Sequence, residues 1–301
     1  MIEGTWLVLR AAGLVLSLQA VGAALFRARF ASVLERSAAR IHRSALHATL
    51  AALAIVLAQL LFEPVEMAGE AGGLTDPAVR RLLLASPATA TLIVRLVGVT
   101  CLTAGLWPRA GLRGVLIAAG SAFTLGSFLL SGHTAIDPHR VPLGSLLLLH
   151  VAIVAFWFGA LQPLRQIVAL ESRATAAQIL AAFSALAVWL VPAIALAGLG
   201  MGLLLLPDVA ALLRPYGVLL LAKAALYALL LGLAALNRLR LVPQLEQGAA
   251  TVPAQLRLSM ALEYALICLV LSLTAVLSGR FSPGEAERTG MLVTWASTAP
   301  A

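Results

Sequence analysis

Charge is scarce in this chain. Asp, Glu, Lys and Arg make up 11% of its 301 residues, where a soluble domain carries roughly 25%. With 61% hydrophobic residues, a water-soluble globular fold is excluded and a polytopic membrane protein is what remains. Acidic residues are scarcer than basic ones, 13 against 21, for a net charge of +8. The basic residues lie between apolar runs, so they read as topology signals and not as a phosphate-binding face; nucleic acid is not the partner. Cysteine is nearly absent. Cys101 and Cys268 sit mid-run and far apart, which excludes a disulfide framework and leaves two small buried residues. There is no phosphate-binding glycine loop, no HExxH and no CxxC. ATP drive within the chain, zinc peptidase chemistry and dithiol redox chemistry therefore fall away. Serine–histidine pairings lack a nucleophile elbow, and the chain is not expected to be an enzyme.

What the chain has is length of apolar sequence. Eight runs are long enough to span at about 20 residues each: 5–26, 45–63, 88–107, 111–131, 144–168, 177–206, 215–237 and 257–279. The expected fold is all-α, a polytopic membrane helix bundle of about eight spans. It forms one bundle over 1–279, with halves 1–131 and 144–279 and a short polar tail at 280–301. The first run has no basic N-terminal flank and no small-residue cleavage site, so it reads as a membrane helix and not as a cleaved signal. The sixth run is overlong; Pro192, Gly198, Gly200 and Gly202 predict a kink or a broken outer end. Asp76 to Leu84 reads as a short amphipathic surface segment.

The Lys/Arg bias sets the orientation. Twelve of the 21 basic residues follow runs one, three, five and seven, six lie on the other side, and Arg10, Arg95 and Lys223 fall inside runs. The positive-inside rule puts both termini outside the cytoplasm. A weak internal repeat supports a four-plus-four parallel arrangement. Pro87 to Arg95 aligns with Pro215 to Lys223, each starting a run with proline and placing a cation eight residues in.

Ser131 to Gln162 holds three of the five histidines. His133 closes the fourth run, His139 lies in the turn Asp137-Pro138-His139-Arg140, and His150 lies about two turns inside the fifth run. With Met67 and Met201 on the same outer side, imidazole, carboxylate and thioether are all on offer. Thioether plus imidazole suits Cu(I), and imidazole plus carboxylate suits Cu(II). The candidate ligands are thus His133, His150, His139, Asp137 and Met201. A second reading keeps a polar surface loop and one helix-packing histidine. Trp157 is seven residues after His150, on nearly the same helix face. His42 and His47 mark the inner end of the second run as basic-loop histidines. Charges inside a bilayer are functional or paired: Arg95 and Lys223 are expected either to pair with a carboxylate such as Glu63 or Asp208 or to hold something anionic. Glu263 lies nearer the inner end of the last run.

Tyr216-Gly217 through Lys223, Asn237-Arg238, Ser259 through Glu263, Gly132-His133, and His150 with Trp157-Phe158-Gly159 fall in an order and spacing that resembles the copper resistance D family of bacterial inner-membrane proteins. The likeness runs from about 63 to 283. The pattern departs at Thr134, Ala160 and Ala182. The resemblance implies copper handling across the inner membrane beside a small periplasmic copper-binding partner. It also implies His133 and His150 as outer ligands, with Lys223, Asn237 and Glu263 along the second half. The alternative is a haem b protein in which His150 and a second histidine hold iron and Arg10, Arg95 or Lys223 neutralise the propionates; a purely structural membrane subunit is the third.

Overall fold

A computed structural model describes residues 2–107, 111–132, 137–205, 213 and 215–280. Every regular element among them is helical. Helix α1 (Ile2–Phe30) is followed by a 3-10 turn (Ala31–Val33), then α2 (Ala38–Ala68). Helix α2 ends at Gly69, whose φ of 73° is one that glycine adopts freely. Helix α3 (Pro77–Ala85) starts where the Asp76 carboxylate accepts from Ala78 N–H at 2.7 Å, with proline in the first turn. Helix α4 (Pro87–Gly105) repeats this device with Ser86. Then come α5 (Arg113–Gly126) with a 3-10 turn (Ser127–Leu129), α6 (Arg140–Leu170), α7 (Arg173–Leu205) and α8 (Pro215–Leu236). A π-turn (Asn237–Leu241) joins α8 to α9 (Val242–Glu246), and α10 (Val252–Arg280) closes the bundle.

The all-α, multi-pass membrane reading holds. Seven helical stretches are long and apolar enough to cross a bilayer. The fourth apolar run forms a shorter helix, Arg113–Leu129 counting its 3-10 turn, so the expected eight become seven long spans and one short one. Asp76 to Leu84 is the amphipathic helix expected: Val79 and Leu83 face inward while Leu82 and Leu84 face outward. Of the two expectations for the sixth run, a break before its outer end is not seen, because α7 continues through Pro192 and past Gly198 and Gly200 to Leu205. Those two glycines serve their neighbours. A Cβ on Gly198 would meet the His150 ring at 3.6 Å, and one on Gly200 would meet Leu146 at 3.1 Å.

With lipid outside, helices associate through small residues that let backbones approach. Gly22 of α1 and Gly159 of α6 do this: a Cβ on Gly22 would collide with the Ala155 carbonyl, and one on Gly159 with the Gly22 backbone. Gly98 and Gly120 make the corresponding crossing of α4 and α5. Helix α1 is thereby held in the centre against α2 and α6. The long outward leucines, Leu61 and Leu203 among them, form the apolar belt. Long side chains bridge α7 to α8 and to the π-turn after it: Tyr227 of α8 donates to the Val191 carbonyl at 2.7 Å, and Arg238 of the π-turn to the Ser184 carbonyl at 2.8 Å.

Candidate functional site

Helix α6 carries two polar side chains on one face, His150 and Trp157, about two turns apart. At the level of His150, the imidazole Nδ1 lies 3.2 Å from the Ile194 carbonyl of α7. A carbonyl can only accept, so Nδ1 carries the proton and Nε2 presents its lone pair. Gly198 lies against the ring, where a Cβ would be in ordinary contact at 3.6 Å, and Lys223 of α8 lies within electrostatic range.

At the level of Trp157, three helices converge. The buried indole Nε1 donates to Glu263 Oε2 on α10 at 3.3 Å. Asn237 Nδ2, at the start of the π-turn, donates to Glu263 Oε1 at 2.6 Å. A π-turn takes one extra residue and re-aims the side chains around it, which is why such turns recur at functional sites. Here it sends Asn237 to α10 and Arg238 to α7, where Arg238 also meets Ser184 Oγ at 2.7 Å. Glu263 is 2% exposed and, among the described residues, no cation reaches ion-pair distance of it. Asn237 Oδ1 and Ser259 Oγ are buried without hydrogen-bond partners there. A cavity of about 70 Å³ lies beside this group, lined by Trp157, Phe183, Ser184, Asn237, Met260 and Glu263. It is large enough for a few waters or one ion.

The expected outer ligands separate into parts. Asp137 Oδ1 accepts the His139 backbone N–H at 2.7 Å and lies 3.3 Å from the His139 ring. His139 caps the N-terminus of α6, so His150 is about 16 Å further along the axis at 1.5 Å per residue. Met201 lies beside Gly200, which faces Leu146, about one turn outward of His150. His133 lies outside the described residues. Among the described residues, no three His, Cys, Asp or Glu side chains form a metal-binding group.

Arg95 does not pair with Glu63. Its Nε donates to Ser127 Oγ at 3.0 Å and its guanidinium stacks 4.2 Å above the Phe128 ring, while Glu63 accepts from Thr89 Oγ1 at 2.9 Å. Burial of a ring and a hydroxyl around a cation replaces the expected carboxylate. Lys223 makes no ion pair among the described residues, and Asp208 lies outside them. His42 sits near Arg27 and Arg113, a setting that disfavours a metal ion.

Two family models match the chain. One is described as copper resistance protein D-like, N-terminal domain, over residues 1–138; the other is copper resistance protein D, over residues 177–277. The chain belongs to the copper resistance D family. Copper resistance protein D of Pseudomonas syringae pv. tomato is 34% identical over 191 residues, covering 58% of this chain and 61% of that protein. The chain thus matches about three fifths of the curated relative's length. No solved structure matches it. Membership supports a copper-related role, and none of these comparisons speaks for haem.

In this copper resistance D chain, Trp157, Asn237 and Glu263 stand out in the sequence as polar residues, but their convergence does not. Nor do Met260, Ser184 and Arg238 stand out in it as neighbours of the same cavity. Met260 carried a signal: it precedes Glu263 by three residues and so shares its helix face.

Proposed function

We propose that this protein moves copper ions through the inner membrane, taking them up at its extracytoplasmic side and passing them along a polar line between α6, α7, α8 and α10. The observation that carries the proposal is His150. Its Nδ1–H is engaged by the Ile194 carbonyl, the second-shell arrangement that fixes a metal-binding histidine with Nε2 outward. Asp137 and His139 form an earlier polar station at the mouth of α6, and His133, outside the described residues, is assigned to it by its nearness in sequence. A small periplasmic copper-binding protein would deliver or collect the ion there. Both termini lie outside the cytoplasm in this reading, since the arginines Arg165, Arg173, Arg238, Arg240 and Arg257 gather at the other end. Trp157, Asn237, Glu263 and Lys223 belong to the deeper part of the line, and copper is cargo.

The test is the copper content of cells lacking the protein, compared with cells expressing wild type or His150→Ala. Wild type should change cellular copper relative to the deletion strain, and His150→Ala should behave as the deletion. Equal copper content in all three strains under copper challenge would overturn the proposal.

A further inference from the structure

The deeper group has chemistry of its own. Glu263 is 2% exposed, and its two oxygens are each held by one neutral donor, Asn237 Nδ2 and Trp157 Nε1. A carboxylate oxygen has about two lone-pair sites, so each keeps one unused. The cavity against it is walled mainly by apolar side chains, Leu161 of α6, Phe183 of α7 and Met260 of α10 among them. An ionised carboxylate with no cation is costly in such surroundings, and the acid form removes that cost. Metal ions fit the cavity poorly. Its oxygens are hard donors, hard metal ions call for about six or more of them, and Arg238 in the wall repels a metal ion. A proton needs a single lone pair. The cavity, about 70 Å³, holds a few waters that can carry it.

Charges around Glu263 are few. Arg238 is the other titratable side chain of the cavity wall, and its guanidinium is bonded to the Ser184 carbonyl and hydroxyl. Helices α6, α7 and α9 contribute no titratable side chain to that wall. Lys223 of α8 precedes Asn237 by about 21 Å along the axis, at 1.5 Å per residue. Helix α1 also packs on α10; its Arg10 meets the Ser278 carbonyl near one end and its Arg27 faces Arg113 near the other. On α10 itself, Tyr264 stacks on Phe158 close to Cys268, and Arg257 lies about 9 Å nearer the helix start.

From this we infer that Glu263 is an intramembrane proton-binding site, and that copper movement through the bundle is coupled to its loading and unloading. The acid gives its proton to a cavity water, and the carboxylate left behind keeps its two N–H donors. The reverse step takes a proton from a hydronium ion in the cavity. The inference rests on the copper reading above and adds to it the coupling ion. Trp157 is the link, since it bonds to Glu263 and lies two turns from His150 on α6.

The experiment uses the full-length protein in lipid. Infrared difference spectra between alkaline and acid pH follow the carbonyl stretch of a protonated carboxyl in wild type, Glu263→Gln and Glu63→Gln. Glu63 is the other buried carboxyl among the described residues. A pH-dependent band should persist in Glu63→Gln and be lost in Glu263→Gln. Tryptophan emission titrated with pH should show a component in wild type that Trp157→Phe lacks, an arm that needs no α10 variant to fold. In vesicles holding the protein and a pH-sensitive dye, with the membrane potential clamped by potassium and valinomycin, Ag(I) is added as a redox-inert stand-in for Cu(I). Wild type should move Ag(I) together with a lumenal pH change, and Glu263→Gln should lose the pH change. A band unaltered by Glu263→Gln would overturn the proton site, and so would an emission titration identical in wild type and Trp157→Phe. Ag(I) movement in wild type without any pH change overturns the coupling and keeps transport. No Ag(I) movement in wild type, beside a band lost in Glu263→Gln, refutes transport and the coupling with it, and keeps the proton site.

Discussion

Asn237 and Glu263 are joined by a hydrogen bond of 2.6 Å from the Asn237 amide to Glu263 Oε1, linking the π-turn to α10. The two residues are 26 apart in sequence, so the bond closes the α8–α10 hairpin as well as the cavity wall. Asn237→Ala leaves the buried carboxyl with the indole alone. A hydrogen bond to a charged group contributes about 1.5–3 kcal/mol, and the variant should lose that much, seen as a lower Tm in detergent. Asn237→Asp should be worse at neutral pH, because two carboxyl groups at hydrogen-bond distance cannot both ionise. Acidification should narrow the gap between Asn237→Asp and wild type. Equal stability of all three proteins at neutral pH would contradict the role given to this bond.

Glu171 ties the α6–α7 turn to the start of α2. Its carboxylate accepts from Ser37 Oγ at 2.5 Å, Ser37 N–H at 2.8 Å, Glu35 N–H at 3.1 Å and Arg36 N–H at 3.3 Å. Burial pushes this carboxyl up, but the Ser37 hydroxyl and the three N–H groups outweigh it and hold it below its ordinary value. A depressed folded value means the contribution is complete above the unfolded glutamate range, about pH 4.3, and is lost as pH falls through the folded value. Glu171→Ala should cost about 0.5–2 kcal/mol, the range of a lost helix cap. The Tm difference from wild type should stay constant from pH 7 to 5 and shrink below pH 4. A difference that widens on acidification would contradict this account.

Much of the bundle was legible because the bilayer makes it so: each long apolar run had to become a helix. Helix α7 runs on where a broken outer end was one expectation, because small residues do not break a helix in lipid. In lipid, a Cβ at Gly200 would crowd Leu146 at 3.1 Å and one at Gly198 would touch the His150 ring at 3.6 Å, and local sequence does not name either partner. For the candidate site, Trp157, Asn237 and Glu263 were legible singly through family resemblance. Their convergence was not, since it depends on a π-turn hidden in the uniform run Leu236-Asn237-Arg238-Leu239. The Glu171 contact joins residues 134 to 136 apart, beyond the reach of any periodicity.

The α1–α6 crossing should be the least tolerant place in the core. Gly22 and Gly159 leave no space for a side chain, and what an added Cβ would strike is backbone, which cannot rotate away. Overpacking costs typically about 1–3 kcal/mol, so Gly22→Ala and Gly159→Ala should each lower the Tm and the monodisperse yield in detergent. Gly232→Ala is the control, since a Cβ there meets nothing within 4 Å. If the control is as damaged as the other two, the close approach is not the cause.

His150 has a cation in range and a carbonyl behind it, and the two pull copper binding in opposite directions. The Ile194 carbonyl fixes the ring with Nε2 free and favours a metal ion, whereas the Lys223 ammonium repels one. Lys223→Met removes the charge while keeping the length, so Cu(I) retained at His150 should rise in that variant. His150→Ala should abolish the gain in the double variant. Gly198→Val tests the ring's position without touching a ligand. A Cβ at Gly198 already meets the ring at ordinary contact distance, so the two further methyl groups must push the imidazole off Ile194. Copper retention should then fall toward the His150→Ala level while Gly198→Ala keeps it. Retention that is indifferent to Lys223→Met and to Gly198→Val would mean that copper does not reside at this imidazole.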